Sequence, residues 1–406
     1  MLLSRNQLID LFNVGVGAAD PCVAVQNHFR MHPPPPAKQV FLLAVGKAAC
    51  AMADAALPFL PNLTHALIVT NYENAAAIPG VDLIAAGHPV PDENGLRAGL
   101  RVEELLAQAG PDDQVLVLVS GGGSALLPAP VDGISLSEKA EVSQLLLGAG
   151  LDIVLMNAVR QHLSRLKGGG LVRQAAPASV TALILSDVIG DDVRAIASGP
   201  TASPIMARSE VVAMLRLRGI WDQLPASART ALERGTTMSE TTAVARNHLV
   251  GSNALSLQAM AQACPAARLA PAPLDGDVGA AAARIIALAK SGPGITLLGG
   301  ETTVKLQGTG LGGRNQELAL RVALGLEGHQ GWRFLSAGTD GRDGPTKAAG
   351  AIVDGKTCAQ IRAQGGDPQA LLANNDSYHA LELAQALLVT GGTGTNVADL
   401  QIISCA

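Results

Sequence analysis

The residues able to do chemistry in this 406-residue chain sit on short glycine- and hydroxyl-rich stretches that follow apolar runs. Gly46-Lys47-Ala48 comes directly after Val40–Val45 and opens a helical stretch. A lysine there stands beside the positive end of a helix, a natural anion site. The other reading is a surface lysine, and the GxxxxGK[ST] spacing of a P-loop is missing. Ser120-Gly121-Gly122-Gly123-Ser124 follows Val115–Val119. Three glycines between serines let backbone N–H groups converge on a phosphate or carboxylate. A flexible turn is the plainer alternative. Ser186-Asp187 follows Val180–Leu185, and a carboxylate just past a parallel strand suits a metal ligand or base. Nearby Asp191 and Asp192 fit helix N-terminal charges equally well.

The C-terminal half repeats the pattern. Gly299-Gly300-Glu301-Thr302-Thr303 reads as a loop after a strand, and Gly308–Gly313 leads into a helix through Arg314-Asn315-Gln316-Glu317. Gly308, Gly310 and Gly313 match GxGxxG formally, the best support for a dinucleotide-binding alternative. Arg314 offers a planar fork suited to phosphate, or to charge on a transferring phosphoryl group. Gly338–Thr346 carries Asp340 and Asp343. The EF-hand spacing fails, and the pair suits Mg²⁺, which takes few protein carboxylates. Asp376 reads equally as a helix N-cap. No histidine pair has ligand spacing, His88 and His162 read as packing residues, and no GxSxG elbow occurs. One lysine, one arginine and several aspartates on oxyanion-friendly loops suit phosphoryl transfer.

These loops need a scaffold that ends buried strands at one edge. Apolar runs at Val40–Val45, Ala66–Thr70, Val115–Val119, Val180–Leu185, Ile295–Leu298 and Phe334–Ser336 read as strands. Asn94–Ala109, Ser135–Gly148, Asp152–Lys167, Asn253–Ala263, Val278–Ser291 and Asn315–Leu326 read as helices. Ser135 with Glu138 forms a capping box and Gly168 a helix C-cap. The alternation predicts an α/β protein with mainly parallel sheets. A strand-poor stretch before Asn247 sets the expected domains at 1–240 and 241–406. The 45 glycines and 2% aromatics argue against a β-sandwich. A net charge of −5 without a basic run argues against nucleic-acid binding. Five scattered cysteines read as small hydrophobes in a reducing compartment. No signal-peptide core and no membrane-spanning apolar stretch are evident, so a cytoplasmic protein is expected. A homo-oligomer is compatible with the sequence.

Taken in order, Val45-Gly46-Lys47, Gly87–Asp92, Ser120–Ser124, Leu166–Gly169, Ser186–Asp191, Ala197–Thr201, Gly251-Ser252-Asn253, Gly299–Thr303, Gly312–Glu317, Gly338–Thr346, Asn375–Tyr378 and Gly391–Asp399 resemble the glycerate 2-kinase family. Its C-terminal part is called the MOFRL domain. The resemblance runs from about Val40 to Asp399. Lys347 departs from it where an aspartate is usual, and Gly392 where a proline is usual. The resemblance implies two α/β domains, the first Rossmann-like, with an active-site cleft between them. It implies ATP- and Mg²⁺-dependent phosphorylation of D-glycerate at the 2-hydroxyl, giving 2-phosphoglycerate. Lys47 and Arg314 would then neutralise phosphate or carboxylate charge. Asp187 or Asp340 would hold Mg²⁺ or orient the hydroxyl, with Asp343 a further metal ligand. Ser120, Gly121, Gly122, Gly123, Ser124, Asn253, Glu301 and Asn315 would bind substrate or phosphate. The rivals are an NAD(P)H-dependent hydroxypyruvate reductase and a non-catalytic anion-binding regulator.

Overall fold

The computed structural model describes residues 2–234 and 245–406. The chain forms two compact units, Pro21–Val250 and Met1–Asp20 with Gly251–Ala406. The expected boundary at 240/241 lies outside the described residues. The helix Arg5–Ala18 belongs with the second unit, which a single cut along the sequence does not anticipate. Its Leu8, Leu11 and Phe12 share an apolar cluster with Met260, Leu400 and Ile402. Gly15 permits that approach: a Cβ there would lie 2.7 Å from both Leu400 and Met260.

The first unit is built on β1 (Val40–Val45), β2 (Leu63–Asn71), β3 (Asp82–Ala86), β4 (Gln114–Val119), β5 (Ser179–Leu185) and β6 (Arg246–Gly251). Their order is β3-β2-β1-β4-β5-β6. The β2–β3, β1–β2, β1–β4 and β4–β5 pairings are parallel. Every residue of β1 and β4 is buried, as expected of central strands covered on both faces. That is why these strands read as unbroken apolar runs without alternation. The strand order is that of the dinucleotide-binding folds, with the reversal between β1 and β4. The loops after β1 and β4 therefore flank the crevice where such sheets hold ligands.

Helices Leu136–Gly148, Ile153–His162, Arg208–Leu217 and Ala226–Arg234 gather around a separate apolar cluster that includes Val142, Leu146, Leu215 and Trp221. The capping box at Ser135 and Glu138 is present. The helix expected over Asp152–Lys167 ends at His162. Tertiary bonds override the helical pattern there: Arg165 N–H donates to Ala129 O at 2.9 Å, and the Lys167 ammonium turns to Ser124. Gly168 accordingly sits in a left-handed turn (φ 52°) beyond the helix end, not at its cap.

The second unit holds β7 (Ala267–Leu269), β8 (Leu274–Asp277), β9 (Gly294–Thr303), β10 (Trp332–Gly338), β11 (Gly350–Asp354), β12 (Leu387–Leu388) and β13 (Asp399–Cys405). The order is β12-β11-β10-β13-β9-β7, with β8 also beside β9. The expectation of mainly parallel pairing fits the first sheet and not this one. Here β10–β11, β10–β13, β11–β12 and β9–β13 are antiparallel. The last strand of the chain inserts between β9 and β10, and its fully buried side chains look the same from sequence whichever way it runs. β9 and β10 are still joined by a crossover helix, Arg314–Gly325. No single helix among the described residues is long and apolar enough to cross a membrane. The five cysteines are free thiols.

Candidate active site

In the first unit, the loops after β1 and β4 are stitched together. Lys47 N–H donates to Gly121 O at 2.9 Å, and Ala48 N–H to the Ser120 hydroxyl at 3.1 Å. Gly46 (φ 125°) has to be glycine, since a Cβ would fall 2.2 Å from Ser120 Oγ. Ser120 thus braces the loop instead of facing a ligand, a correction to its expected role in the cradle. The Lys47 side chain is exposed and has no hydrogen-bond or ion-pair partner among the described residues. The N–H groups of Gly121, Gly122 and Gly123 likewise have no acceptor among them. Open amides on glycines at a strand end are what an anion nest requires.

Asp187, just past β5, sits against this loop. A Cβ on Gly121 would lie 2.3 Å from its Oδ2. Burial pushes its carboxyl pKa up, against the pull of its own N–H and of Lys47. No side-chain donor among the described residues engages it. On the other side of the loop, Gly122 separates His88 from the Lys47 stem: its Cβ would meet them at 3.1 and 3.2 Å. Burial, then the Lys47 charge, lowers the His88 pKa.

Ser124 anchors a second set of groups. Its hydroxyl lies 2.9 Å from Ser198 Oγ and accepts from Lys167 Nζ at 2.9 Å, and Lys167 also donates to Ser124 O at 2.6 Å. Ala197, Ser198 and Gly199 are all left-handed (φ 49°, 63° and 62°). For the two non-glycine residues this conformation costs on the order of 1–3 kcal/mol each. Gln161 holds the turn in place through the carbonyls of Arg194 and Ser198. Behind Gly122 and Ser124 opens a cavity of about 310 Å³, lined also by His88, Lys139, Arg160 and Lys167. Lys139, Arg160 and Lys167 were not among the expected site residues. The signal for Lys139 was available, since it falls on the buried stripe of its helix with Val142 and Leu146, where an apolar residue is expected. His162 is buried and held at Met206 O, a packing role as read from sequence.

The second unit gathers Arg314, Glu301, Asp340, Asp343, Asn253 and Asn315. The expected loop at Gly299–Thr303 is the end of β9 itself. Arg314 Nε and Nη2 bind both oxygens of Asp399, at 2.6 and 2.9 Å, and Nη1 meets Glu301 at 3.0 Å. Burial opposes its charge, but the Asp399 hydrogen bonds and the neighbouring carboxylates outweigh it and raise the pKa. The guanidinium fork is therefore taken by Asp399, and the edge facing Glu301 is what remains for a phosphate.

Asp343 is not placed as a metal ligand. Its Oδ1 accepts Asn315 N–H at 3.1 Å and its Oδ2 accepts Gln316 N–H at 2.8 Å, so it caps the helix Arg314–Gly325 from a distant loop. Burial pushes its carboxyl up to about 6, while those N–H groups pull the other way. Asn315 Oδ1 accepts the Ser336 hydroxyl at 2.6 Å. Asn253 donates to Val397 O and Asp399 O, pinning the start of β13. Both asparagines are buried supports of the loop. Asp340 Oδ1 accepts Arg342 N–H within its own turn. Asp376 begins the helix Ser377–Leu383 but does not cap it, accepting Leu311 N–H and His379 Nδ1–H instead.

The GxGxxG glycines face protein. Cβ atoms on Gly308, Gly310 and Gly313 would lie 2.4 Å from Asn374 O, 2.4 Å from Asp376 Cβ and 2.3 Å from Asp343 Cγ. Asn375 further holds the loop through Gln307 N–H and Gly308 N–H. The motif packs two loops together, with the N–H groups of Gly308 and Gly310 taken by Asn375 and Asn374. Among the described residues, no group of three or more His, Cys, Asp or Glu is placed to hold a metal ion. The residues present suit Mg²⁺ only in the way it is usually held beside phosphates, by one or two carboxylates with waters and phosphate oxygens. Asp187 fits that description and Asp343 does not.

A dinucleotide-type sheet with open amides, an exposed lysine and a half-buried carboxylate at its switch point defines an α/β phosphate-handling protein. Residues 7–233 match the family described as a domain of unknown function, DUF4147, and residues 294–399 match the MOFRL family. A D-glycerate 2-kinase of Thermotoga maritima is 42% identical, over 90% of this chain and 90% of that protein. A putative hydroxypyruvate reductase of Agrobacterium vitis is 38% identical, over 98% of this chain and 94% of that protein. The crystal structure of the glycerate kinase from Thermotoga maritima superposes with a TM-score of 0.91 at 39% identity, covering 98% of each chain. The chain belongs to the glycerate 2-kinase family, with a C-terminal MOFRL domain.

Proposed function

We propose that this chain is a glycerate 2-kinase, transferring the γ-phosphoryl group of ATP to the 2-hydroxyl of D-glycerate. The observation that carries the reading is the Gly121–Gly123 loop, whose unpaired amides lie between the free cation of Lys47 and the carboxylate of Asp187. In the reaction the 2-hydroxyl oxygen attacks the γ-phosphorus and the bond to the ADP oxygen breaks. The hydroxyl proton leaves to a base, and 2-phosphoglycerate and ADP are the products. Asp187, against the glycine loop, is placed to orient that hydroxyl. The loop amides and Lys47 offset charge developing on phosphate oxygens. Arg314 neutralises phosphate or carboxylate charge through the edge now facing Glu301.

Mg²⁺, when bound, neutralises and orients the phosphates. Asp187 is the carboxylate of the first unit that we assign to it, and Asp340 remains a candidate in the second. A cytoplasmic setting accords with the free thiols. Packing of Gly308–Gly313 against Asn374–Ser377 and Asp343 favours the kinase over the reductase. Two assays decide between them: ADP release with D-glycerate and Mg·ATP, and NADH loss with hydroxypyruvate. ADP release and a phosphorus NMR signal for 2-phosphoglycerate are expected. NADH oxidation without ADP release would overturn the kinase reading.

A further inference from the structure

We infer that the cavity behind the glycine loop is the carboxylate-binding pocket for the acceptor, with Arg160 and the Lys139–Lys167 pair gripping the acid group of a small 2-hydroxy acid. This rests on the kinase reading and extends it to three residues and one end of the substrate.

The charge pattern leads to it. Lys139 and Lys167 are 7% and 4% exposed, yet no carboxylate pairs with either among the described residues. Lys139 donates to the carbonyls of Pro128 and Leu163, and Lys167 to Ser124. Arg160 has no hydrogen-bond or ion-pair partner among the described residues, and it too lines the cavity. A buried cation without a counter-ion is expensive, and two buried lysines beside a partly buried arginine that repels them are more so. Elsewhere in the same unit the chain pairs such groups, as with Arg165 and Glu103 at 2.6 Å. An arrangement that holds three cations around an empty space is accounted for by an anion that enters it.

The kind of anion follows from size and charge. The other walls include the apolar Pro89, Pro91, Pro128 and Leu136 and the polar Ser143 and Gln144, around a volume of about 310 Å³. That volume is at the small end for ligand sites. His88 is the one aromatic ring among its lining residues, and no Phe, Tyr or Trp lines it to stack a nucleobase. Burial drives the Lys139 and Lys167 pKa values down, Lys167 to about 7. The small volume matches a monocarboxylate better than a triphosphate. Gly122 and Ser124 line the cavity and belong to the same loop as the open amides. Gly122 also touches the Lys47 stem, so an acid held here presents its neighbouring hydroxyl toward Lys47.

The test compares wild type with Arg160→Gln and Arg160→Lys, using D-glycerate and its uncharged amide, D-glyceramide, as acceptors. Loss of one charge-assisted contact should raise KM for D-glycerate in Arg160→Gln about tenfold or more, with KM for ATP within about twofold of wild type. Arg160→Lys should recover part of the loss. With D-glyceramide, wild type and Arg160→Gln should perform alike, because neither has a carboxylate to grip; circular dichroism melting checks that the variants fold. An equal loss with both acceptors, or a rise in KM for ATP instead, would overturn the assignment, the second placing nucleotide phosphates in the cavity. If wild type itself releases no ADP with D-glycerate, the kinase reading fails. If it does and Arg160→Gln matches it, only the pocket assignment fails.

Discussion

Lys167 Nζ donates to both the carbonyl oxygen and the hydroxyl of Ser124, at 2.6 and 2.9 Å, from a position almost fully removed from solvent. Those two acceptors orient the ammonium without neutralising it. Ser124 in turn reaches the strained Ala197–Gly199 turn through Ser198. The glycine loop, the left-handed turn and the buried lysine are thus one hydrogen-bonded unit, and each restrains the others.

Stability should record that lysine. Burial, with Arg160 adding repulsion, holds its pKa at about 7, whereas an unfolded lysine titrates near about 10.4. Between those values the unfolded chain binds more protons than the folded one, so folding stability rises with pH. Below about pH 7 the lysine is charged in both states and the whole cost of burying it is present. Urea unfolding of wild type and Lys167→Met at pH 7 and pH 9 isolates the effect, because other groups cancel in the difference. Wild type should gain on the variant by up to about 1.4 kcal/mol per pH unit. Parallel pH profiles would show that the lysine keeps its ordinary pKa.

Arg314 and Asp399 should behave as a pair that cannot be halved. Asp399 has a side chain only 1% exposed, so Arg314→Ala strands a buried carboxylate. The expected loss of stability is about 3–5 kcal/mol. The double variant Arg314→Met with Asp399→Leu should recover much of it, because neither charge remains buried. Turnover should stay low in both. Urea midpoints and ADP release measured on the same preparations separate the two effects, and recovery of turnover in the double variant would remove Arg314 from the chemistry.

The first unit was largely legible in the sequence because its sheet is parallel and buried on both faces. Apolar runs such as Val40–Val45 and Val115–Val119 have no other sensible reading, and the loops after them carry the candidate residues. The second sheet was not, since nothing local in Asp399–Cys405 tells that it inserts antiparallel between β9 and β10. Strand-end loops point to ligands, which is how the sequence singles out Lys47, Gly121 and Asp187 as candidates. Arg160 lies on a later helix, and only the fold brings it to the cavity beside Ser124. The capping role of Asp343 is not legible in the sequence, because a cap supplied from another loop has no sequence spacing to recognise.

Asp343 and Asp187 should therefore part company under the same substitution. Asp343→Asn weakens the cap on Arg314–Gly325 and should cost about 1–2 kcal/mol of stability. Its turnover should need no more Mg²⁺ than wild type does. Asp187→Asn should leave stability nearly intact, or raise it, since burial already disfavours its charge. The Mg²⁺ concentration for half-maximal turnover should rise in Asp187→Asn alone. Activity titrations with Mg²⁺ at fixed ATP, run beside thermal melts, read both quantities. A raised Mg²⁺ requirement in Asp343→Asn would restore it as a ligand.

Gly121 should be the least replaceable residue of the loop that gives the site its character. Its added methyl would fall 2.3 Å from Asp187 Oδ2, closer than any non-bonded contact allows. Either the carboxylate swings away or the loop shifts off β4, and neither movement disturbs the buried sheet. Folding should survive while the geometry of the reacting groups does not. A displacement of about 1 Å at such a site can lower turnover by about a hundredfold. Gly121→Ala is therefore expected to melt within a few degrees of wild type and to lose about two orders of magnitude in kcat. Gly148→Ala is the control, because a Cβ there meets nothing within 4 Å. If Gly121→Ala turns over as fast as that control, Asp187 does not work against the glycine loop.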